Sequence, residues 1–229
     1  MVTGPKQHQK NYLWKLIPLF GSILFILLYF LATLYYPGGS QFDKNTKGFS
    51  WTQNYWCNLL NENAINGQSN PARPIALTAM VVLCLTLTVF WFLFPIQVAF
   101  KKSARIAIQM SGFTAMAIGL FLFTSLHDII INVATLLGLV ALTGTFIGLQ
   151  KQNLMKLFRM GLFTIVLIGL NNLLYYNTDL LLYLPVVQKF TFLYFLLWIC
   201  CINISLYNKT ARKRQRTKQP LTQALKNSS

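Results

Sequence analysis

Residues 74–100 read PIALTAMVVLCLTLTVFWFLFPIQVAF, an apolar stretch without a single charged side chain. A helix needs roughly 20 residues to cross the hydrocarbon core of a bilayer, so this stretch is long enough for one span. Irregular backbone is costly in lipid because its polar groups lack partners there, which favours helix throughout. The stretch therefore predicts a transmembrane helix and an integral membrane protein.

Five further apolar stretches of similar length divide the rest of the 229-residue chain. They predict an all-α membrane bundle of six transmembrane helices within residues 1–207. The predicted spans are residues 13–36, 74–100, 104–126, 128–149, 154–176 and 185–207.

Two segments lie outside these spans. Residues 37–73 form a long loop between the first two spans, and the helical spacing of Trp51, Tyr55 and Leu59 in it predicts a short helix on the membrane surface. Residues 208–229 are highly charged and weakly hydrophobic, so we predict a disordered basic tail.

The charges of the chain are sorted by sign between alternate connections. With a cytoplasmic N-terminus, the segments on the cytoplasmic side carry 16 of the 20 lysines and arginines. This positive-inside bias predicts that both termini are cytoplasmic, in the plasma membrane or, for a bacterium, the inner membrane. The opposite side holds Lys44, Lys47, Arg73 and Lys189, together with the four acids Asp43, Glu62, Asp128 and Asp179.

The net charge of +16 also bears on partners. Most of it lies in loops and the tail beside apolar spans, where each cation attracts anionic lipid headgroups by roughly 1 kcal/mol. No base-reading or base-stacking module is visible. The sequence thus predicts membrane lipids as partners and no nucleic acid.

Small residues mark where helices approach closely. They recur every four residues on the third predicted span and form a Gly-x-x-x-Gly motif on the fourth, spacings that let helix backbones pack together. The bundle itself is the favoured use of these faces, and a homodimer or another membrane protein is the alternative. The residues are Ser111, Ala115, Gly119, Gly144 and Gly148.

Polar residues cluster near the outer ends of the spans. His127 and Asp128 begin the fourth predicted span, and Asn132 follows one helical turn later. Polar groups at membrane depth are costly unless they are mutually satisfied or functional. The sequence predicts an outward-facing ligand site beneath the loop, although Asp128 acting only as a helix N-cap explains the same pattern. The predicted lining residues are His127, Asp128, Asn132, Tyr55, Trp56 and Asn58.

Enzymatic motifs are weak. A metal hydrolase needs three or more ligands, whereas only His127 and Asp128 lie near the membrane. Ser125 lacks the Gly-x-Ser-x-Gly context of a nucleophile elbow. We therefore assign no catalytic residue, no metal ligand and no cofactor.

Several local motifs carry a family resemblance. They are Tyr36-Pro37-Gly38, the loop segment 55–60 (YWCNLL), the segment 70–74 (NPARP) and His127. With six spans and a long first loop, they resemble a bacterial membrane family of unknown function that is similar to the DRAM- and FRAG-type proteins. Where several bacterial relatives carry an acid, this chain has Cys57-Asn58, so an acid partner for His127 would come from Glu62 or Asp128.

The resemblance implies a role in lipid remodelling, lipid distribution or the response to membrane stress. Together with the polar cluster, it predicts a lipid-associated protein with a site on the extracytoplasmic face. The alternatives are an intramembrane lipid-modifying enzyme that uses His127 and Asp128 as an acid–base pair, and an assembly protein that binds other membrane proteins through the Gly144 face.

Overall fold

The computed structural model describes the backbone of residues 13–121 and 127–227, and their side chains except those of residues 127, 128, 131 and 213–227. The described residues are all-α: they contain no β-strand, only the isolated bridges Gly38–Lys47 and Asn63–Ser69. Short 3-10 helices cover Trp14–Leu16, Trp56–Leu60 and Thr178–Tyr183. The α-helices are α1 (Ile17–Leu34), α2 (Arg73–Gln97), α3 (Lys102–Gly119), α4 (His127–Lys151), α5 (Met155–Tyr176) and α6 (Leu184–Asn227).

Five of the six α-helices are long and apolar enough to cross a membrane. The exception is α3, whose 18 residues include Lys102 and Arg105 and whose predicted span continued into residues 122–126, outside the described part. Large apolar side chains cover the outer surface of the bundle, as a lipid environment favours. The five qualifying segments are Trp14–Leu34, Arg73–Gln97, Asn132–Lys151, Met155–Tyr176 and Thr178–Arg212.

The central element is α2, which packs against α1, α3, α4 and α6. Half of its most apolar window is buried inside the protein, compared with about a third or less in the other four spans. Phe90, Trp91 and Phe94 fill the core along its second half. The stretch that predicted the membrane class is thus also the helix around which the others assemble.

Small residues bring the helices together within the chain. A Cβ added at Gly144 would lie 2.4 Å from Ile108 of α3, and one at Gly148 would lie 2.5 Å from Phe94 of α2. Ala115 is fully buried, whereas the Ser111 hydroxyl donates to the Ile108 carbonyl of its own helix at 3.2 Å. A Cβ added at Gly119 would meet the Cys84 sulfur at 4.0 Å, so this position is less tightly packed.

A further close contact of α3, with α2, was not predicted. A Cβ added at Gly112 would lie 2.7 Å from the Cβ of Trp91, so only glycine fits at this crossing of α2 and α3.

The C-terminal segment differs from the prediction of disorder. The structure continues α6 through residues 208–227, because the Lys, Arg, Gln, Ala and Leu residues of this segment have high helix propensity in spite of their charge.

The predicted helix around Trp51–Leu60 is also shorter than expected. Only Trp56–Leu60 is helical, as a 3-10 turn. The Asn54 and Asn58 side chains accept hydrogen bonds from the backbone amides of Ser50 and Tyr55, at 2.8 and 2.7 Å, and these local bonds compete with an α-helix.

The helices alternate in direction, so the bundle has two chemically different ends. We call residues 37–72 the cap and the end that carries it the cap end. The other end, where Trp14, Gln97, Gln152 and Lys209 meet around one cavity, is the basic end.

Candidate functional site

The cap is a folded unit that closes one end of the bundle. Gly39 has a positive φ of +81°, and a Cβ added there would lie 2.4 Å from the backbone nitrogen of Asn66, so this position needs glycine. The amide of Gly39 donates to the Thr46 carbonyl at 2.7 Å, and the Ile65 amide donates to the Tyr36 hydroxyl at 3.0 Å. These bonds join the two halves of the cap to the end of α1.

Buried asparagines replace regular secondary structure inside the cap. Asn70 donates to the carbonyls of Asn58, Leu59 and Asn61 at 3.4, 3.2 and 2.9 Å. Asn54, which is fully buried, donates to the Gly39 carbonyl at 2.8 Å. Because buried carbonyls are costly when unpaired, these amides fix the path of the chain over the bundle.

Trp56 anchors the cap to the bundle. Its ring centroid lies 5.0 Å from Tyr29 and 6.1 Å from Phe25, both on α1, and 5.4 Å from Phe192 on α6. The side chain is only 8% exposed, yet its indole nitrogen has no hydrogen-bond partner among the described residues. Buried indole N–H groups usually find an acceptor, which makes this donor a candidate for binding a ligand or a water.

Lys189 is a buried cation beneath the cap. It is 6% exposed on α6, and its ammonium donates to the backbone carbonyls of Asn54 and Pro185, the latter at 2.8 Å. The ring of Phe49 lies 5.5 Å from the nitrogen. Within the described part of the chain the ion pair is Arg73–Glu62, at 3.0 Å, so no described carboxylate neutralises Lys189.

Two neighbours complete the group of polar side chains. The Gln188 carbonyl oxygen accepts the backbone amide of Trp56 at 3.4 Å. Burial raises the pKa of the Cys57 thiol, although the Lys189 ammonium acts in the opposite direction. The thiol is therefore protonated at neutral pH. We call Trp56, Cys57, Gln188 and Lys189 the sub-cap cluster.

Burial also keeps the nearby phenols neutral. It raises the pKa of both Tyr36 and Tyr55, with the Ile65 amide partly offsetting the effect at Tyr36. The sub-cap cluster therefore presents hydrogen-bond donors and one cation, Lys189, and contains no anionic side chain.

The predicted site residues fall into three groups. Tyr55, Trp56 and Asn58 lie together in the cap. Asn132 is exposed on α4, a helix that packs against α2, α3 and α5. The backbone of His127 and Asp128 begins α4, but their side chains lie outside the described residues.

Sequence reasoning overlooked Lys189, Asn54 and Asn70 as functional candidates. The available signal was Lys189 itself, which is the single charged residue in the predicted sixth span. Ionisable residues inside membrane spans are rare and commonly functional.

A separate polar contact joins α5 and α6, where the Asn171 side chain donates to the Thr191 hydroxyl at 2.6 Å.

Comparison with known proteins adds no assignment, since no protein-family model, no curated protein and no solved structure matches this chain. Among the described residues, no three His, Cys, Asp or Glu side chains form a metal-binding group. What the sub-cap cluster offers chemically is a desolvated ammonium and an indole N–H that has no partner among the described residues. That pair suits an anionic, oxygen-rich group.

Proposed function

We propose that this protein is a multi-pass plasma-membrane protein, with both termini cytoplasmic, that binds an anionic lipid headgroup at the extracytoplasmic end. Lys189 is the observation that carries the proposal. A buried ammonium without a carboxylate is costly, and a phosphate oxygen next to it recovers much of that cost.

The surroundings of Lys189 support a lipid rather than a soluble anion. Val186 and Phe190 flank it on α6 and are 47% and 52% exposed, so apolar surface for acyl chains lies beside the cation. The ammonium uses two of its three donors on Asn54 and Pro185. The third donor and the Trp56 indole remain for the headgroup. The resemblance to DRAM- and FRAG-type proteins favours the same lipid-associated role.

The orientation in this proposal rests on charge. The cap end carries Asp43 and Glu62 and few lysines, whereas most of the lysines and arginines lie at the basic end. Since positively charged connections stay on the cytoplasmic side, the cap is assigned to the outer face.

The test is to purify the protein in native lipid particles and quantify co-purifying lipids by mass spectrometry. Lys189→Met removes the cation but keeps an apolar stem of similar length. Lys44→Met is the matched control, because Lys44 is exposed in the same cap and the net charge changes equally. We expect Lys189→Met to retain about tenfold less anionic lipid, equivalent to about 1.4 kcal/mol, and the control to match the wild type.

A second variant guards against misfolding of the first. Trp56→Phe keeps an aromatic ring in the anchor position and removes only the indole N–H. Equal anionic lipid in the wild type, Lys189→Met and Trp56→Phe would refute the headgroup site. A lipid that is chemically altered by the wild type and intact in the variants would instead favour the lipid-modifying enzyme.

A further inference from the structure

A second polar cavity lies at the basic end, opposite the cap. Its volume is about 530 Å³, within the usual range for sites that hold small molecules. Its wall is formed where the ends of α2 and α4 meet the segment before α1 and the later part of α6. The polar side of that wall consists of Lys15, Gln97, Gln152, Lys209 and Thr210, and Trp14 stands at its edge.

The wall is held in place by hydrogen bonds between distant segments. Lys209 donates to the backbone carbonyl of Gln152, which ties α6 to the end of α4. The buried Asn203 side chain donates to the Lys15 carbonyl at 2.9 Å, which ties the 3-10 turn before α1 to α6. Both lysines are therefore positioned at this cavity by hydrogen bonds of their own, Lys209 through its ammonium and Lys15 through its backbone carbonyl.

The electrostatics of this cavity are one-sided. The four acids of the chain are Asp43 and Glu62 in the cap, Asp179 just before α6 and Asp128 at the start of α4. Because α4 has 25 residues, its start lies roughly 35 Å along the helix from Lys151 at its other end. Among the described residues, the lining of the cavity thus includes two lysines and no carboxylate, and Lys151 directly precedes the lining residue Gln152.

We infer that this cavity binds the phosphate of an anionic phospholipid headgroup from the leaflet at the basic end. Two ammonium groups supply the charge, and the carboxamides of Gln97 and Gln152 supply neutral donors for the phosphate oxygens. The rim is apolar and accessible, since Trp14 and Ile96 are 45% and 46% exposed. Basic pockets between membrane helices bind lipid headgroups in this way.

The experiment is a lipid titration of the full-length protein in detergent, followed by native mass spectrometry. The probes are phosphatidylglycerol, phosphatidylcholine and inorganic phosphate. The test variant is the double substitution Lys15→Gln with Lys209→Gln. The matched control is Lys101→Gln with Lys102→Gln, because both control lysines are exposed at the same end and the net charge changes equally. We expect the test variant to bind phosphatidylglycerol about tenfold more weakly, and the control within about twofold of the wild type.

Gln97→Glu is a single substitution of nearly equal volume that places an anion in the cavity. It is expected to weaken phosphatidylglycerol binding by about tenfold or more. Unchanged affinity in this variant, or equal loss in the test and control double variants, would overturn the inference. Inorganic phosphate that displaces the lipid at millimolar concentration, with phosphatidylcholine bound equally well, would overturn the lipid assignment in favour of a soluble phosphate.

Discussion

The two ends of the molecule use the same residue type in opposite ways. At the cap end, Lys189 is buried and held by backbone carbonyls that come from the cap and from its own helix. At the basic end, Lys209 is exposed, with one carbonyl partner on the edge of an open cavity. A lysine in the first setting depends on the packing around it, whereas a lysine in the second mainly adds charge.

This contrast separates substitutions that will destabilise the protein from substitutions that will change only its binding. The cap end is closed by aromatic packing and by buried amides, so its side chains contribute to stability. The basic end has few buried polar contacts among its lysines, so charge can be removed there at low structural cost.

Trp56→Ala should produce the largest loss of stability. The substitution removes a buried ring that contacts Phe25, Tyr29 and Phe192, and a cavity would remain between the cap and the bundle. We expect the free energy of unfolding to fall by about 3–5 kcal/mol. Denaturant unfolding in detergent micelles measures it. Trp51→Ala is the control: Trp51 is 45% exposed, so its loss should cost about 1 kcal/mol or less.

Asn70→Ala should destabilise the cap without opening a large cavity. Three carbonyls lose their side-chain donor, and buried acceptors without partners cost about 2 kcal/mol in total. Faster proteolytic cleavage of residues 59–62 in the folded protein would report the loosened chain. Asn63→Ala, at an exposed position in the same loop, should leave the cleavage rate unchanged. Equal cleavage of the two variants would show that Asn70 does not organise the cap.

The membrane class and the all-α fold could be predicted from the sequence, because both follow from the length of the apolar stretches. The role of Lys189 does not follow, since its partner Asn54 lies 135 residues earlier in the chain. A contact that distant leaves no trace in local spacing.

The predictions of a cap helix and of the end of α2 differ from the structure for local reasons. Trp51, Tyr55 and Leu59 have helical spacing, but Asn54 and Asn58 bind nearby backbone amides and leave only a 3-10 turn. The predicted span 74–100 ends at Gln97 instead, because Ala99 takes a positive φ that its residue type does not favour. The predicted site residues include Tyr55 and Trp56 of the loop, whereas they do not include Lys189 beneath it.

The stability of the cap end should fall at alkaline pH through Cys57. Burial holds the pKa of its thiol above the ordinary 9.0, so above pH 9 the unfolded chain loses a proton that the folded protein keeps. Stability is therefore fully present below pH 9 and falls as the pH rises, by at most about 1.4 kcal/mol per pH unit. Unfolding at pH 8 and pH 10 measures the loss in the wild type and in Cys57→Ala.

The tyrosines make that comparison informative. Tyr36 and Tyr55 also have pKa values raised by burial, and both remain in the Cys57→Ala protein. The difference between the two proteins isolates the thiol. An equal loss of stability in both would assign the alkaline transition to the tyrosines.

Ala99→Gly should give the smallest effect, and in the opposite direction. Ala99 ends α2 at the basic end with a φ of +57°, which costs roughly 1–2 kcal/mol for a residue with a Cβ. Glycine removes this strain but adds freedom to the unfolded chain, so the expected net gain is about 0.5–1 kcal/mol. Asn153→Gly is the control after α4: Asn153 has a φ of +53°, but asparagine tolerates this conformation, so little gain is expected. Thermal unfolding of both variants compares the two helix ends, and a larger gain at Asn153 would mean that Ala99 is not strained.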